Sequence, residues 1–235
     1  MIRFLFLNIF IIIHSIMMCL FGIILSFFNK DDNIIHRRVA VPWAKIYLKV
    51  CSVNVEVKGA DNVNRDLPCI YMSNHQSYFD IFTLLAGLPA DFKFIMKKSL
   101  MKIPLLGTTM RRAGYLSVDR GDTKKAIMSM DAAAEKIRKG ASILVFPEGT
   151  RSKDGHIQGF KKGGFHTAFK AGCDIVPITI LNSRDIVPKG SLRIKKGTIN
   201  MSIGKPIPVK DYSKQDINDL ITRTRETIIS QMTGI

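Results

Sequence analysis

CIYMSNHQSYFDIFTLLAG, residues 69–87, changes character halfway along. The run 69–73 is short and apolar and is stopped by polar residues, which predicts a strand. Residues 77–87 are compatible with a helix that ends at Gly87. A strand that passes through a few polar residues into a helix is the opening unit of an α/β domain.

Working outward, the same alternation recurs. Strands are predicted at 53–59, 92–96, 115–119, 142–146, 175–181 and 199–204, and helices at 124–140, 163–172 and 216–232. In the stretch 124–140, Ala126, Ile127, Met130, Ala133, Ala134 and Ile137 share one apolar face, and Gly140 closes it. Strands separated by helix-length connections predict α/β, a single largely parallel sheet flanked by helices, over residues 51–235. The last strand and helix are the least regular. No repeat and no Pro/Gly/Ser linker divides this region.

Residues 1–50 are different. Between Phe4 and Phe28 there is no Lys, Arg, Asp or Glu. At 1.5 Å per residue that run reaches roughly 37 Å as a helix, enough for a hydrocarbon core of about 30 Å. It is longer than a usual signal-peptide core, no A-x-A-like cleavage site follows, and Met18 precedes Cys19. Asn8, His14 and Ser15 interrupt it, and residues 39–50 mix Trp43 and Tyr47 with spaced lysines, an interfacial composition. A membrane-anchoring segment over 1–50 is expected, either as one span or as a two-helix hairpin in one leaflet. One cation (Arg3) precedes the apolar run, whereas Lys30, Arg37, Arg38, Lys45 and Lys49 follow it, which puts the protein on the cytoplasmic face of the membrane.

The chain of 235 residues carries 35 Lys+Arg against 19 Asp+Glu, a formal charge of +16. Such a field draws polyanions: nucleic acid, anionic headgroups or phosphorylated substrates. No nucleic-acid-binding module or aromatic-rich basic strand accompanies it. Cys19, Cys51, Cys69 and Cys173 are scattered without a C-x-x-C pair, so neither a disulfide framework nor a zinc site is expected.

His75 and Asp80 lie in the turn of the opening stretch. The structural alternative makes Ser77 a helix cap, Asp80 part of a capping box and His75 a loop residue. The chemical alternative lets the turn fold back, so that Asp80 orients the imidazole as a general base. No G-x-S-x-G elbow supplies a nucleophile; a hydroxyl of the substrate can take that role instead. A second constellation, Val145-Phe146-Pro147-Glu148-Gly149-Thr150-Arg151-Ser152, places an arginine just past a strand, where α/β folds collect ligands. A guanidinium there suits a phosphate, and a solvated turn arginine is the plain alternative. Lys97-Lys98 and Asp119-Arg120-Gly121 close two further strands. Lys161 and Lys162 precede a glycine-opened helix that favours an anion, and His166 within that helix is expected to be packed.

Taken together, NHQSYFD (74–80), GYLSVDR (114–120), FPEGTRS (146–152) and the step Val176-Pro177-Ile178 resemble the four ordered blocks of the glycerolipid acyltransferases, most closely the bacterial 1-acyl-sn-glycerol-3-phosphate branch. KKSLMKIPLLG (97–107) is similar to a further segment between the first two blocks. The resemblance covers roughly residues 50–210. It implies that His75 is the base and Asp80 its orienter. It also implies that Lys97 (or Lys98), Arg120 and Arg151 meet the acceptor's phosphate, and that Glu148, Gly149 and Thr150 belong to the same pocket. The implied reaction moves an acyl chain from acyl-CoA or acyl carrier protein, as cosubstrate, to the sn-2 hydroxyl of lysophosphatidic acid at the membrane, giving phosphatidic acid, with no cofactor and no metal. Leu116-Ser117-Val118 departs mildly from the usual second block. Alternatives are another acceptor such as glycerol-3-phosphate, a serine hydrolase, and a non-catalytic basic membrane-binding protein.

Overall fold

Strand β2 (Ile70–Ser73) is buried along its whole length and forms the middle of a seven-stranded sheet. The computed structural model describes residues 1–29 and 31–233. Lys30, one of the cations counted above, lies outside the described residues. The other strands are β1 (Val53–Lys58), β3 (Lys93–Lys97), β4 (Leu116–Val118), β5 (Ile143–Val145), β6 (Ile175–Leu181) and β7 (Gly197–Ile203), in the spatial order β1-β7-β6-β2-β5-β3-β4. All neighbouring pairs are parallel except β6–β7. The sheet is therefore largely parallel, as expected, and the antiparallel turnaround accounts for the irregular last strand.

Alternating side chains of the central strands build two cores, because successive residues of a strand face opposite sides. On one side Tyr71, Leu144 and Val176 pack with Phe82, Leu84 and Leu85 of α4 (Phe79–Gly87) and with Ala44, Tyr47 and Leu48 of the N-terminal region. On the other, Ile70, Met72, Ile143 and Val145 pack against α6 (Thr123–Arg138), α7 (Gly163–Ala171) and α9 (Ile217–Thr233). The sequence did not announce α5 (Leu106–Arg112) or α8 (Ser183–Ile186). Both are short, and α5 is entered through Leu105 at φ 60°, a conformation no periodicity encodes.

The N-terminal region is a helical hairpin laid on the first core. Helix α1 (Ile2–Phe28) is followed by α2 (Asp32–Ile35), a π-turn over His36–Ala40 and α3 (Val41–Cys51). Contacts tie α1 to the domain along its length. Arg3 donates to the carbonyls of Ile194 (2.6 Å) and Cys51 (2.8 Å), and Asn8 donates to Leu192 O (3.2 Å). Trp43 Nε1 donates to Ser15 Oγ at 3.0 Å. Thr109 Oγ1 donates to Cys19 O (3.2 Å), and Arg112 Nη1 donates to Ser26 Oγ (2.7 Å). Gly22 allows the close approach: a Cβ there would sit 3.1 Å from the methyl of Thr109. Two of the polar interruptions, Asn8 and Ser15, thus face protein partners. The outward side, including Phe6, Ile9, Ile12, Ile16, Met17 and Ile24, stays exposed, a face suited to association with a membrane.

His36 of the π-turn is buried, with Nδ1 3.2 Å from Tyr115 Oη and its ring edge-on to Phe92 at 4.7 Å. Burial lowers its pKa to about 4; the Asp91 carboxylate opposes the shift, while Lys93 and Arg37 add to it. The folded pKa lies below that of the unfolded chain. Stability is therefore complete above pH ~6.5 and is lost as pH falls toward ~4, by on the order of 3 kcal/mol. His36→Gln is expected to flatten the fall of the unfolding midpoint between those pH values. Identical slopes in the two proteins would contradict this account.

Candidate active site

Strands β2, β5 and β6 run side by side and parallel, with Met72 opposite both Val145 and Pro177. Their following loops consequently emerge at the same edge of the sheet, the carboxyl edge where α/β folds place ligands. Asn74 governs how the chain leaves β2. Its Nδ2 donates to Ile180 O (2.8 Å), and its Oδ1 accepts from Ile180 N (2.7 Å), so the side chain substitutes for a ladder pair.

The turn then folds back. Asp80, 0% exposed, accepts three hydrogen bonds on Oδ2: from His75 Nδ1 (2.7 Å), Gln76 N (2.7 Å) and Ser77 N (2.9 Å). The structural and chemical alternatives for Asp80 thus describe one carboxylate doing both jobs: organising the turn and holding the imidazole. A capping box as such is not formed. Tyr78 occupies the N-cap of α4, and Ser77 Oγ accepts from Phe79 N (3.2 Å) while donating to Val187 O (2.7 Å). Facing a carboxylate, Nδ1 carries the proton, which leaves the lone pair on Nε2. The ring lies flat on Phe146, with centroids 3.9 Å apart and planes 14° apart, and the side chain is 15% exposed. This is an imidazole with fixed orientation and tautomer and an accessible edge.

The 146–152 turn holds the backbone of His75 from both sides. Glu148 Oε1 accepts from His75 N (2.8 Å), and Ser152 N donates to His75 O (2.8 Å). Glu148 Oε2 accepts from Gln158 N (2.9 Å), so both oxygens of this buried carboxylate are engaged with backbone amides. Burial pushes its pKa up, and the amides of Gln158 and His75 oppose that shift. Gly149 has φ +76°, and a Cβ there would meet Lys161 Cε at 3.0 Å, so backbone freedom and space both call for glycine. Arg151 lies against the 74–80 turn: its Cζ lies 3.7 Å from the centroid of the Tyr78 ring. Its Nη1 is buried without a hydrogen-bond partner among the described residues. Lys189 Nζ donates to Arg151 O (2.6 Å).

The tertiary fold therefore brings His75, Asp80, Glu148, Gly149 and Arg151 together. Thr150 is exposed, and no hydrogen bond of its side chain is found among the described residues. Lys97 ends β3 and Arg120 lies in the turn after β4, two and three strands from β2; both are exposed, and among the described residues no hydrogen bond or ion pair joins them to the His75 cluster. Of the lysine pair, Lys98 is engaged by Asp119 at 3.1 Å, which holds that carboxyl below its usual range and leaves Lys97 as the available cation. His166 was expected to be packed; it is exposed, because the buried face of α7 is formed by Phe165, Thr167 and Ala168. Sequence reasoning also passed over Asn74, Phe146, Tyr78 and Lys189. An asparagine directly after a strand could have flagged the first; nothing local signals Lys189. Among the described residues no three His, Cys, Asp or Glu side chains come together as a metal site requires.

A mostly parallel α/β sheet carries at its carboxyl edge a histidine hydrogen-bonded to a buried carboxylate, and a neighbouring loop brings in an arginine whose buried Nη1 has no partner among the described residues: the class is an α/β domain whose site can present a base and a cation to a ligand. The chain belongs to the acyltransferase family, whose profile matches residues 54–181. It is 39% identical over 182 residues to the chloroplastic 1-acyl-sn-glycerol-3-phosphate acyltransferase BAT2 of Brassica napus, covering 77% of this chain and 52% of that protein. It is 40% identical over 200 residues to the chloroplastic LPAT1 of Arabidopsis thaliana, covering 84% of this chain and 54% of that one. The chain thus spans about half the length of these relatives. Its fold matches the crystal structure of the 1-acyl-sn-glycerophosphate (LPA) acyltransferase PlsC of Thermotoga maritima, with a TM-score of 0.83 and 26% identity over 100% of this chain and 98% of that one.

Proposed function

We propose that this protein transfers an acyl chain from an acyl thioester, on coenzyme A or acyl carrier protein, to the sn-2 hydroxyl of lysophosphatidic acid, forming phosphatidic acid. The observation that carries the reading is the 2.7 Å His75–Asp80 hydrogen bond, set in the turn whose next residues hold Arg151. His75 Nε2 takes the proton of the sn-2 hydroxyl as its oxygen attacks the thioester carbonyl. Asp80 stabilises the imidazolium that forms. Collapse of the tetrahedral intermediate breaks the C–S bond, and the imidazolium returns the proton to the departing thiolate. Arg151 grips the phosphate, the exposed Lys97 and Arg120 farther along the sheet add positive field toward it, and Glu148 and Gly149 shape the turn that aligns the base, so positioning supplies part of the acceleration. That several relatives carry names specifying this acceptor supports the choice of substrate.

The hairpin supports a position at the membrane surface. Because α1 is bonded to the domain from Arg3 to Ser26, it lies along the protein with its outer face in one leaflet, and its first turn is part of the fold. The excess of cations after α1 favours the cytoplasmic face.

Purified protein in lipid vesicles should acylate lysophosphatidic acid faster than glycerol-3-phosphate or lysophospholipids with larger headgroups, with acyl-CoA and acyl carrier protein compared as donors. Arg151→Ala is expected to raise KM for lysophosphatidic acid by ~10- to 100-fold, the weight of a charged hydrogen-bonding contact. Preference for another acceptor, or an unchanged KM, would overturn the assignment.

A further inference from the structure

We propose that Tyr78 is a positioning residue: its ring seats the Arg151 guanidinium and so fixes the acceptor phosphate relative to His75. This inference rests on the acyltransferase reading above and adds to it a role for Tyr78, a residue inside the 74–80 block to which the resemblance gave none.

Tyr78 sits at the N-cap of α4, between two turn amides tied to Asp80 and a helix whose Ile81 N donates to Tyr78 O at 3.2 Å. Its backbone is therefore as well fixed as that of His75. Tyr78 is left 48% exposed, between the buried Ser77 and Phe79. What the ring covers is Arg151, with Cζ 3.7 Å from its centroid, a cation–π geometry.

The choice of an aromatic partner has a chemical consequence. A carboxylate would hold the arginine by using its N–H donors and cancelling its charge. A ring face attracts the cation while leaving both available. Among the described residues Arg151 has no acidic partner, and its buried Nη1 has no acceptor. A buried donor without an acceptor is costly until a ligand oxygen arrives. The stack also removes rotamer freedom from a long side chain before binding, which lowers the entropic cost of gripping the phosphate. Lys189 completes the restraint by bonding the carbonyl of Arg151. Tyr78 follows His75 by three residues on one rigid turn, so the stack links the phosphate grip to the base.

The test compares Tyr78→Leu, Tyr78→Ala and Tyr78→Phe in two assays. In steady-state kinetics the Leu and Ala variants should raise KM for lysophosphatidic acid ~5- to 20-fold with kcat within about twofold, and Phe, which keeps the ring, should restore KM to within about twofold. Combining Tyr78→Leu with Arg151→Ala should raise KM little beyond Arg151→Ala alone, since both remove one grip. In the second assay inorganic phosphate should raise the melting temperature of the wild type more than that of the Leu and Ala variants, with Phe again like wild type. This readout needs no acyl transfer, so wild-type protein that binds phosphate but does not acylate lysophosphatidic acid would sink the proposed function and leave the stack to be judged by phosphate binding. Equal phosphate protection in wild type and Tyr78→Leu, no protection of the wild type, a Phe variant as poor as Leu, or additive double-variant effects would each overturn the role of Tyr78.

Discussion

Replacing His75 by alanine is expected to lower kcat by ~10²- to 10⁴-fold, the contribution of a positioned general base, with KM for lysophosphatidic acid changed little. The imidazole is partly open to solvent and its removal leaves Asp80 Oδ2 still accepting from Gln76 N and Ser77 N, so the melting temperature should move by only a few degrees. Asp80→Asn keeps the volume and an acceptor for the turn but removes the charge that stabilises the imidazolium; a loss of roughly 10²- to 10⁴-fold in kcat with modest loss of stability follows. Asp80→Ala should do worse on both counts, because two buried amides and an imidazole N–H lose their acceptor. Kinetics and thermal melts of the three variants decide the matter. Near-normal turnover of His75→Ala in protein free of wild-type enzyme would show that no base acts from this ring.

The second large effect belongs to Glu148, which touches no reacting atom in this geometry. Its two oxygens satisfy the amides of His75 and Gln158, and the side chain is 4% exposed. Glu148→Ala removes the acceptor of two partly buried backbone amides, those of His75 and Gln158, at roughly 1 kcal/mol each, so the melting temperature should drop by roughly 4–8 °C. Turnover should fall by at least ~10-fold even where the protein is folded, because the backbone of the base loses one of its two restraints. Glu148→Gln should fall between, since one amide keeps an oxygen while the other meets an NH₂ group. If Glu148 instead bound substrate directly, the Gln variant would show its main defect in KM with unchanged stability. Melts and steady-state constants separate the two cases.

Much of this was readable locally. The strand expected at 175–181 is β6 to the residue, and helices expected at 77–87 and 163–172 appear as α4 and α7 within two residues at each end. Such elements declare themselves because burial on a strand or a helix imposes a period on neighbouring residues. The His75–Asp80 contact was one of two readings that the turn allowed; the ordered blocks of the family resemblance favoured it, and the fold forms it together with the turn's own hydrogen bonds. Residues 97–112 were harder. Their path depends on Leu105 at a positive φ of 60° in a tight turn closed by Leu106 N donating to Pro104 O, and on Gly107, where a Cβ would sit 2.1 Å from Met101 O, constraints that come from packing rather than periodicity.

Local order along the chain determined most of the elements, the basic character and the apolar leader, and narrowed the histidine–aspartate turn to two readings. Only the tertiary structure decided that β2 lies between β5 and β6, strands drawn from distant parts of the chain, and so which loops share an edge. That pairing sets Glu148 under the amide of His75, Asn74 on Ile180 and Arg151 on Tyr78, and it leaves Lys97 and Arg120 farther along the sheet. The physical reason is that side-chain periodicity records which face of an element is buried, whereas the partner that buries it is selected by the packing of the whole domain.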